Sequence, residues 1–137
     1  MERAQRSRRG GFTLIELLIV IAIIVVLISA AAPKFSQYLM NARETAAMSA
    51  IRTIHTAQTQ YNSQFGRFAA TLAELGPPAG GQEGPGAADL IPSDLATGIK
   101  GGYKFVLETT PTGYRVLATP VAFNRDGRRS FYSDQTM

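Results

Sequence analysis

Residues 12–32 read FTLIELLIVIAIIVVLISAAA, a run with a single charge, Glu16, and two hydroxyls, Thr13 and Ser29. Wound as an α-helix at 1.5 Å per residue it would be about 32 Å long, enough to cross a hydrocarbon core of roughly 30 Å. Ile and Val dominate it, which disfavours a helix in water. In lipid the backbone must satisfy its own hydrogen bonds, and that requirement overrides propensity. The run therefore predicts a transmembrane helix. Working outward from it, residues 1–11, MERAQRSRRGG, set four arginines against Glu2 and so supply most of the formal net charge of +4. The charge is a terminal tag, which leaves no basic stripe for a folded face, and nucleic acid is not predicted as a partner. A basic flank instead holds this end in the cytoplasm.

Glu16 decides what kind of membrane segment this is. A secretory signal would have a basic flank, an apolar core and a small-residue site such as Ala30-Ala31-Ala32, but the run is longer than the usual apolar core and carries a carboxylate in its first turns. The carboxylate costs on the order of 2.5–3.5 kcal/mol at the bilayer centre, less near an interface. One reading leaves Glu16 in the headgroup region, in reach of water. Another starts at Gly10-Gly11-Phe12, where basic residues give way to apolar ones. Cleavage after Gly11 would make Phe12 the N-terminus, and its ammonium could offset the desolvation of a carboxylate. The two could pair within one chain or between staggered neighbours, the second making Glu16 a register device for stacking identical helices.

GGFTLIELLIVIAII, residues 10–24, resembles the N-terminus of type IV pilins and type II secretion pseudopilins, in which a short basic leader ending in Gly precedes Phe, then Thr-Leu-x-Glu-Leu and an apolar helix. The resemblance is close over about 15 residues. It implies that residues 1–11 are a leader, that Gly11 precedes the prepilin peptidase bond, and that Phe12 becomes the first mature residue and is N-methylated. It further implies that Glu16 pairs with a neighbouring subunit's Phe12 terminus during assembly.

Pro33 follows the apolar run, and a proline inside a helix removes a hydrogen bond and kinks the rod. Phe35, Leu39, Ala42, Ala46, Ala50, Ile54, Ala57, Tyr61 and Phe65 then recur at steps of three and four, predicting an amphipathic helix over 34–65 with this face inward and with Arg43, Glu44, Arg52 and Gln60 on other faces. The aromatics Phe35, Tyr38, Tyr61 and Phe65 read as packing residues. His55, the one histidine, reads as a surface or half-buried polar residue. A helix from about 12 to 65, kinked at Pro33, accounts for the pattern, and the resemblance implies the same proline.

Beyond Gly66, Thr71 to Leu75 reads as one turn of helix with Thr71 as N-cap. Residues 76–88, GPPAGGQEGPGAA, open a Gly/Pro-rich loop over 76–102 that excludes a regular element at its start and is either mobile or functional, with Leu90, Ile91 and Leu95 pinning its far side. Tyr103–Glu108 and Tyr114–Thr119 alternate at period two around TTPTG, predicting a hairpin with Tyr103, Phe105 and Leu107 facing one way and Tyr114, Val116 and Ala118 lining the partner's face. Asn124-Arg125-Asp126-Gly127 is a turn signal before a third strand around Phe131. The expected fold is α+β and pilin-like: a leader (1–11), a transmembrane and filament-core helix (12–32), and a head (33–137) in which helix 34–65 packs on about three antiparallel strands within 103–134.

Composition removes other functions. The chain has no Cys, which excludes disulfides, thiolate zinc sites and cysteine nucleophiles. No Ser/His/Asp set, Walker loop, HExxH or paired acidic cleft is present, so no enzyme is expected. Asp126, Asp134 and Asp94 are weighed as calcium ligands because some major pseudopilins carry calcium near the C-terminus. No EF-hand spacing appears, so no cofactor is predicted and calcium stays open. The resemblance implies an inner-membrane precursor of a bacterium, single-pass and later in a periplasmic or extracellular filament. Its partners would be copies of itself, prepilin peptidase, an inner-membrane platform and an assembly ATPase. Within that family, short length and missing cysteines lean to the major pseudopilin of type II secretion, and the missing Asp-Pro-Trp-Gly run leans to a major pilin, which the reading favours. A secreted or tethered binding module is the remaining alternative, with Pro33 as its mature start.

Overall fold

A computed structural model describes residues 10–136. The leader expected at residues 1–11 falls mostly outside the described residues. The elements are α1 (Leu14–Phe65), α2 (Leu72–Leu75), α3 (Ser93–Ala96), β1 (Ile99–Lys100), β2 (Tyr103–Thr110), β3 (Gly113–Pro120) and β4 (Phe131–Asp134). The chain divides into two compact units between Phe35 and Ser36. In the first unit, α1 is apolar and its side chains from Leu14 to Ile28 are exposed, long and apolar enough to cross a membrane. Pro33 lies inside α1, so the helix does not stop there.

In the second unit, α1 packs on an antiparallel sheet of order β1-β2-β3-β4, an α+β, pilin-like arrangement. Its inward stripe is Met40, Glu44, Ala47, Ala50, Ile51, Ile54, His55, Ala57, Gln58 and Tyr61. From Ala50 onward this holds the expected face. Before Ala50 it lies one or two residues away: Phe35, Leu39, Ala42 and Ala46 are exposed, while Met40, Glu44 and Ala47 are buried. The apolar residues do not set the inward face here, because the segment between β3 and β4 supplies polar partners that make the burial of Glu44 tolerable. At the other end α1 stops at Gly66, whose φ of 71° is left-handed and whose N–H bonds Asn62 O at 2.8 Å.

The predicted hairpin is β2–β3, paired from Tyr103↔Pro120 to Thr110↔Gly113. The strands run further than expected and leave a two-residue turn, Pro111-Thr112. Tyr103, Phe105, Tyr114, Val116 and Ala118 point into the core, as their alternation requires. β4 adds Ala118↔Phe131 through Arg115↔Asp134. A fourth strand, β1, pairs Ile99↔Lys104 and Lys100↔Tyr103, too short to show an alternation in sequence. Within residues 76–102, α3 and β1 therefore stand in what reads as loop.

Thr71 caps α2, its hydroxyl accepting from Glu74 N at 3.4 Å. The Gly/Pro-rich segment behind α2 is held by backbone bonds: Gly84 and Ala87 bond each other at 3.0 Å, Ala88 N bonds Glu74 O at 2.9 Å, and Asp89 N bonds Gly76 O at 2.9 Å. Tyr61 donates its hydroxyl to Pro85 O at 2.5 Å from beneath. Ala88, Ile91 and Leu95 are buried below it. A glycine-rich loop has thus one defined shape because its backbone groups find partners in α2, within the loop itself and, at Pro85 O, in the Tyr61 hydroxyl.

Candidate functional site

At the start of α1, Phe12 is 91% exposed and Gly10 and Gly11 have open space where a Cβ would stand. Among the described residues, none covers this junction. Thr13 is the N-cap. Its hydroxyl accepts from Glu16 N at 3.3 Å, and the Glu16 carboxylate reaches back through Oε2 to accept from Thr13 N at 3.2 Å. Thr13 O takes the first rung of the ladder from Leu17 N at 3.2 Å. This reciprocal capping box satisfies two backbone donors that the helix itself leaves orphaned. Glu16 therefore has a role within its own chain, which the sequence reading overlooked although Thr-x-x-Glu before an apolar run is its signature. The other carboxylate oxygen, Oε1, bonds nothing among the described residues, which leaves it free to meet a second donor from outside. A carboxylate in the first turn also suits the partial positive charge of a helix N-terminus.

A second polar site closes the head. The segment between β3 and β4, residues 121–130, folds onto α1 through two carboxylates that face inward. Glu44, expected outside, is buried; it accepts from Arg128 N at 3.0 Å and from Arg129 Nε at 2.8 Å. These bonds, the Arg128 backbone first and then the Arg129 guanidinium, hold its carboxyl below the usual range. Asp126, also buried, accepts from Arg43 at 2.5 Å, from Arg125 at 2.9 Å and from Ala122 N at 3.1 Å. Gly127 must be glycine: a Cβ there would lie 2.1 Å from the hydroxyl of Tyr103, which itself donates to Arg129 O at 2.9 Å. This polar clamp supplies the restraint that a chain without cysteine needs at its C-terminal loop.

The three aspartates weighed for calcium are not brought together. Asp126 is saturated by arginines, Asp94 pairs with Lys100 at 3.3 Å, and Asp134 accepts from the backbone and hydroxyl of Thr136 at 3.0 and 2.6 Å. Among the described residues no group of three or more His, Cys, Asp or Glu is placed to hold a metal.

His55, expected at the surface or half-buried, is fully inside. It is 3% exposed, with Nδ1 2.5 Å from the Tyr114 hydroxyl and Nε2 2.7 Å from Ser133 Oγ, so it bolts α1 to β3 and β4. Burial pulls its pKa below 6.5, against the opposing pull of Asp134, and pushes the Tyr114 phenol up to about 12. Both His55 and Glu44 have depressed values in the folded state, so each contributes stability that is full above its unfolded pKa and lost on acidification. Thermal midpoints of the chain in detergent should therefore fall as pH drops below about 6.5, and again below about 4.5, the ordinary values for the two groups. His55→Gln should remove the first decline and leave the second; a flat profile from pH 7 to 5 in the native chain would contradict the buried neutral imidazole.

Residues 6–32 match the family model described as the prokaryotic N-terminal methylation motif. The chain is 36% identical over 69 residues to the type IV major pilin protein PilA of Myxococcus xanthus (strain DK1622), an alignment that covers 50% of this chain and 31% of that relative. The chain thus spans less than a third of that protein's length in the match. No solved structure is a significant match. The two similarities support a type IV pilin family.

Proposed function

We propose that the chain is the major structural subunit of a type IV filament, made as a single-pass inner-membrane precursor, cut after Gly11, methylated on Phe12 and polymerised through residues 12–32. The observation that carries this reading is the exposed apolar start of α1, with a half-satisfied carboxylate in its first turn next to an unshielded Gly11-Phe12 junction. Lipid covers that surface in the precursor and neighbouring helices would cover it in the fibre. Exchanging lipid for protein brings no hydrophobic gain, so packing and the pairing of Glu16 with a neighbour's Phe12 ammonium have to favour the fibre. Withdrawal from the bilayer then needs work, which fits a cytoplasmic ATPase acting through an inner-membrane platform. Methylation of Phe12 would keep the ammonium charge that Glu16 requires. Pro33, with no N–H to give, is the place where α1 could bend as subunits seat.

Purified mature protein should begin at Phe12 with one added methyl group, by N-terminal sequencing and intact mass. Gly11→Val should leave residues 1–11 attached and prevent export of fibres. A mature start at Pro33 would favour a secretory peptidase and a released binding module instead.

A disulfide-free head closed by ion pairs supports a second reading, the major pseudopilin of a type II secretion system. Deletion of the gene separates the two. Loss of surface fibres with normal secretion marks a pilin, and periplasmic retention of secreted enzymes marks a pseudopilin.

A further inference from the structure

The polar clamp hides its acids and displays its bases. The side chains of Glu44 and Asp126 are 5% exposed, while those of Arg125 and Arg129 are 73% and 66% exposed. Arg128 is exposed beside them, its Nε engaged by Asn124 Oδ1 at 2.8 Å. Phe123 stands 75% exposed on the same segment, which the clamp and the left-handed Asn124 (φ 65°) fix in place. A rigid surface of exposed guanidinium groups around an unshielded aromatic ring has the composition of an interface core and rim.

The Gly76–Asp89 loop has the opposite character. Glu83 and Asp89 are exposed, form no ion pair among the described residues, and no Lys or Arg occurs between Gly76 and Asp89. Pro77, Pro78 and Pro85 give it apolar surface, and the backbone bonds from α2 hold its shape. Both segments are anchored on the same stretch of helix, one at Arg43 and Glu44, the other at Tyr61. Eighteen residues of α-helix separate Arg43 from Tyr61, about 27 Å. The two segments are therefore held at anchor points well apart along one head.

We propose that the arginine surface around Phe123 binds the Glu83/Asp89 loop of a second copy of this chain. The inference rests on the filament reading and adds to it the head-to-head contact that sets register outside the helical core. Two different patches of one molecule that pair only between copies make a heterologous contact, which propagates instead of closing. Opposite charge would steer the approach and penalise other registers, with Phe123 against the prolines as the apolar anchor.

The test uses the full processed chain and fibres sheared from cells. Arg128→Glu and Glu83→Arg should each reduce fibre yield about fivefold, the scale of losing an exposed charge pair at every joint, and the combination of both should restore it. Restoration separates pairing from a folding defect. As a second measurement, Glu83→Cys combined with Arg128→Cys in this cysteine-free chain should give, on oxidation, a ladder of linked multimers that neither single variant gives. Only bonds between copies can give linked multimers, and each requires the two Cα atoms to come within about 7 Å. Normal yield from both single reversals, failure of the combination to restore it, or fibres that give no ladder would each overturn the contact while leaving the filament reading intact. If the native chain forms no fibres at all, both fall together.

Discussion

Glu16→Ala is expected to leave the precursor inserted and its leader removed, yet to reduce fibres about a hundredfold. Two roles of the carboxylate are lost together in that variant. One is the capping bond to Thr13 N, worth on the order of 1 kcal/mol to the helix start. The other is the ion pair with an incoming Phe12 ammonium, which in low dielectric is the larger of the two because either charge alone is costly there. Removing the carboxylate makes residence in the bilayer easier and assembly harder, so precursor should accumulate in the membrane. Glu16→Gln divides the roles, since glutamine at this position still completes a capping box but carries no charge. Fibre counts by electron microscopy and the sheared fraction by immunoblot read the outcome. Fibres at native abundance from the glutamine variant would reduce Glu16 to a capping residue.

Tyr61→Ala should cost about 4 kcal/mol, a large share of the 5–15 kcal/mol that holds a typical domain. Its ring is fully buried, tilted against Phe65 at 4.7 Å between centroids, and its hydroxyl props the Gly/Pro-rich loop through Pro85 O. Truncation opens a cavity and frees the loop at once. Tyr61→Phe keeps the packing and removes only the hydroxyl, at about 1 kcal/mol, so it should lower the thermal midpoint by only about 4–8 °C while exposing the loop to limited proteolysis. Denaturant unfolding of the detergent-solubilised chain measures the first effect and fragment mapping the second. If the alanine variant unfolds within about 1 kcal/mol of the native chain, the core does not centre on this residue.

The contrast between what the sequence discloses and what it conceals follows the range of the interactions. The apolar run, the hairpin of Tyr103–Thr110 with Gly113–Pro120, and the Thr71 cap depend on residues a few positions apart, and each is readable as a period or a spacing. Glu44 is different. A glutamate on a helix is normally exposed, and only partners 84 and 85 residues away make its burial tolerable. His55 is buried for the same reason, by hydroxyls on β3 and β4. Strand β1 is two residues long and exists only because β2 offers it an edge. Thr13 belongs to the first class: the capping box is local and was legible, but the charge of Glu16 drew the reading toward a neighbour's amine and away from its own backbone.

How the head is fastened has a consequence for where it can mature. Arginine–carboxylate contacts form as soon as the loop meets the helix, without a thiol oxidase or an isomerase to correct wrong links. Subunits built this way would reach their final shape at the speed of chain folding, and reductants or a loss of oxidative folding capacity in the surrounding compartment would leave them intact.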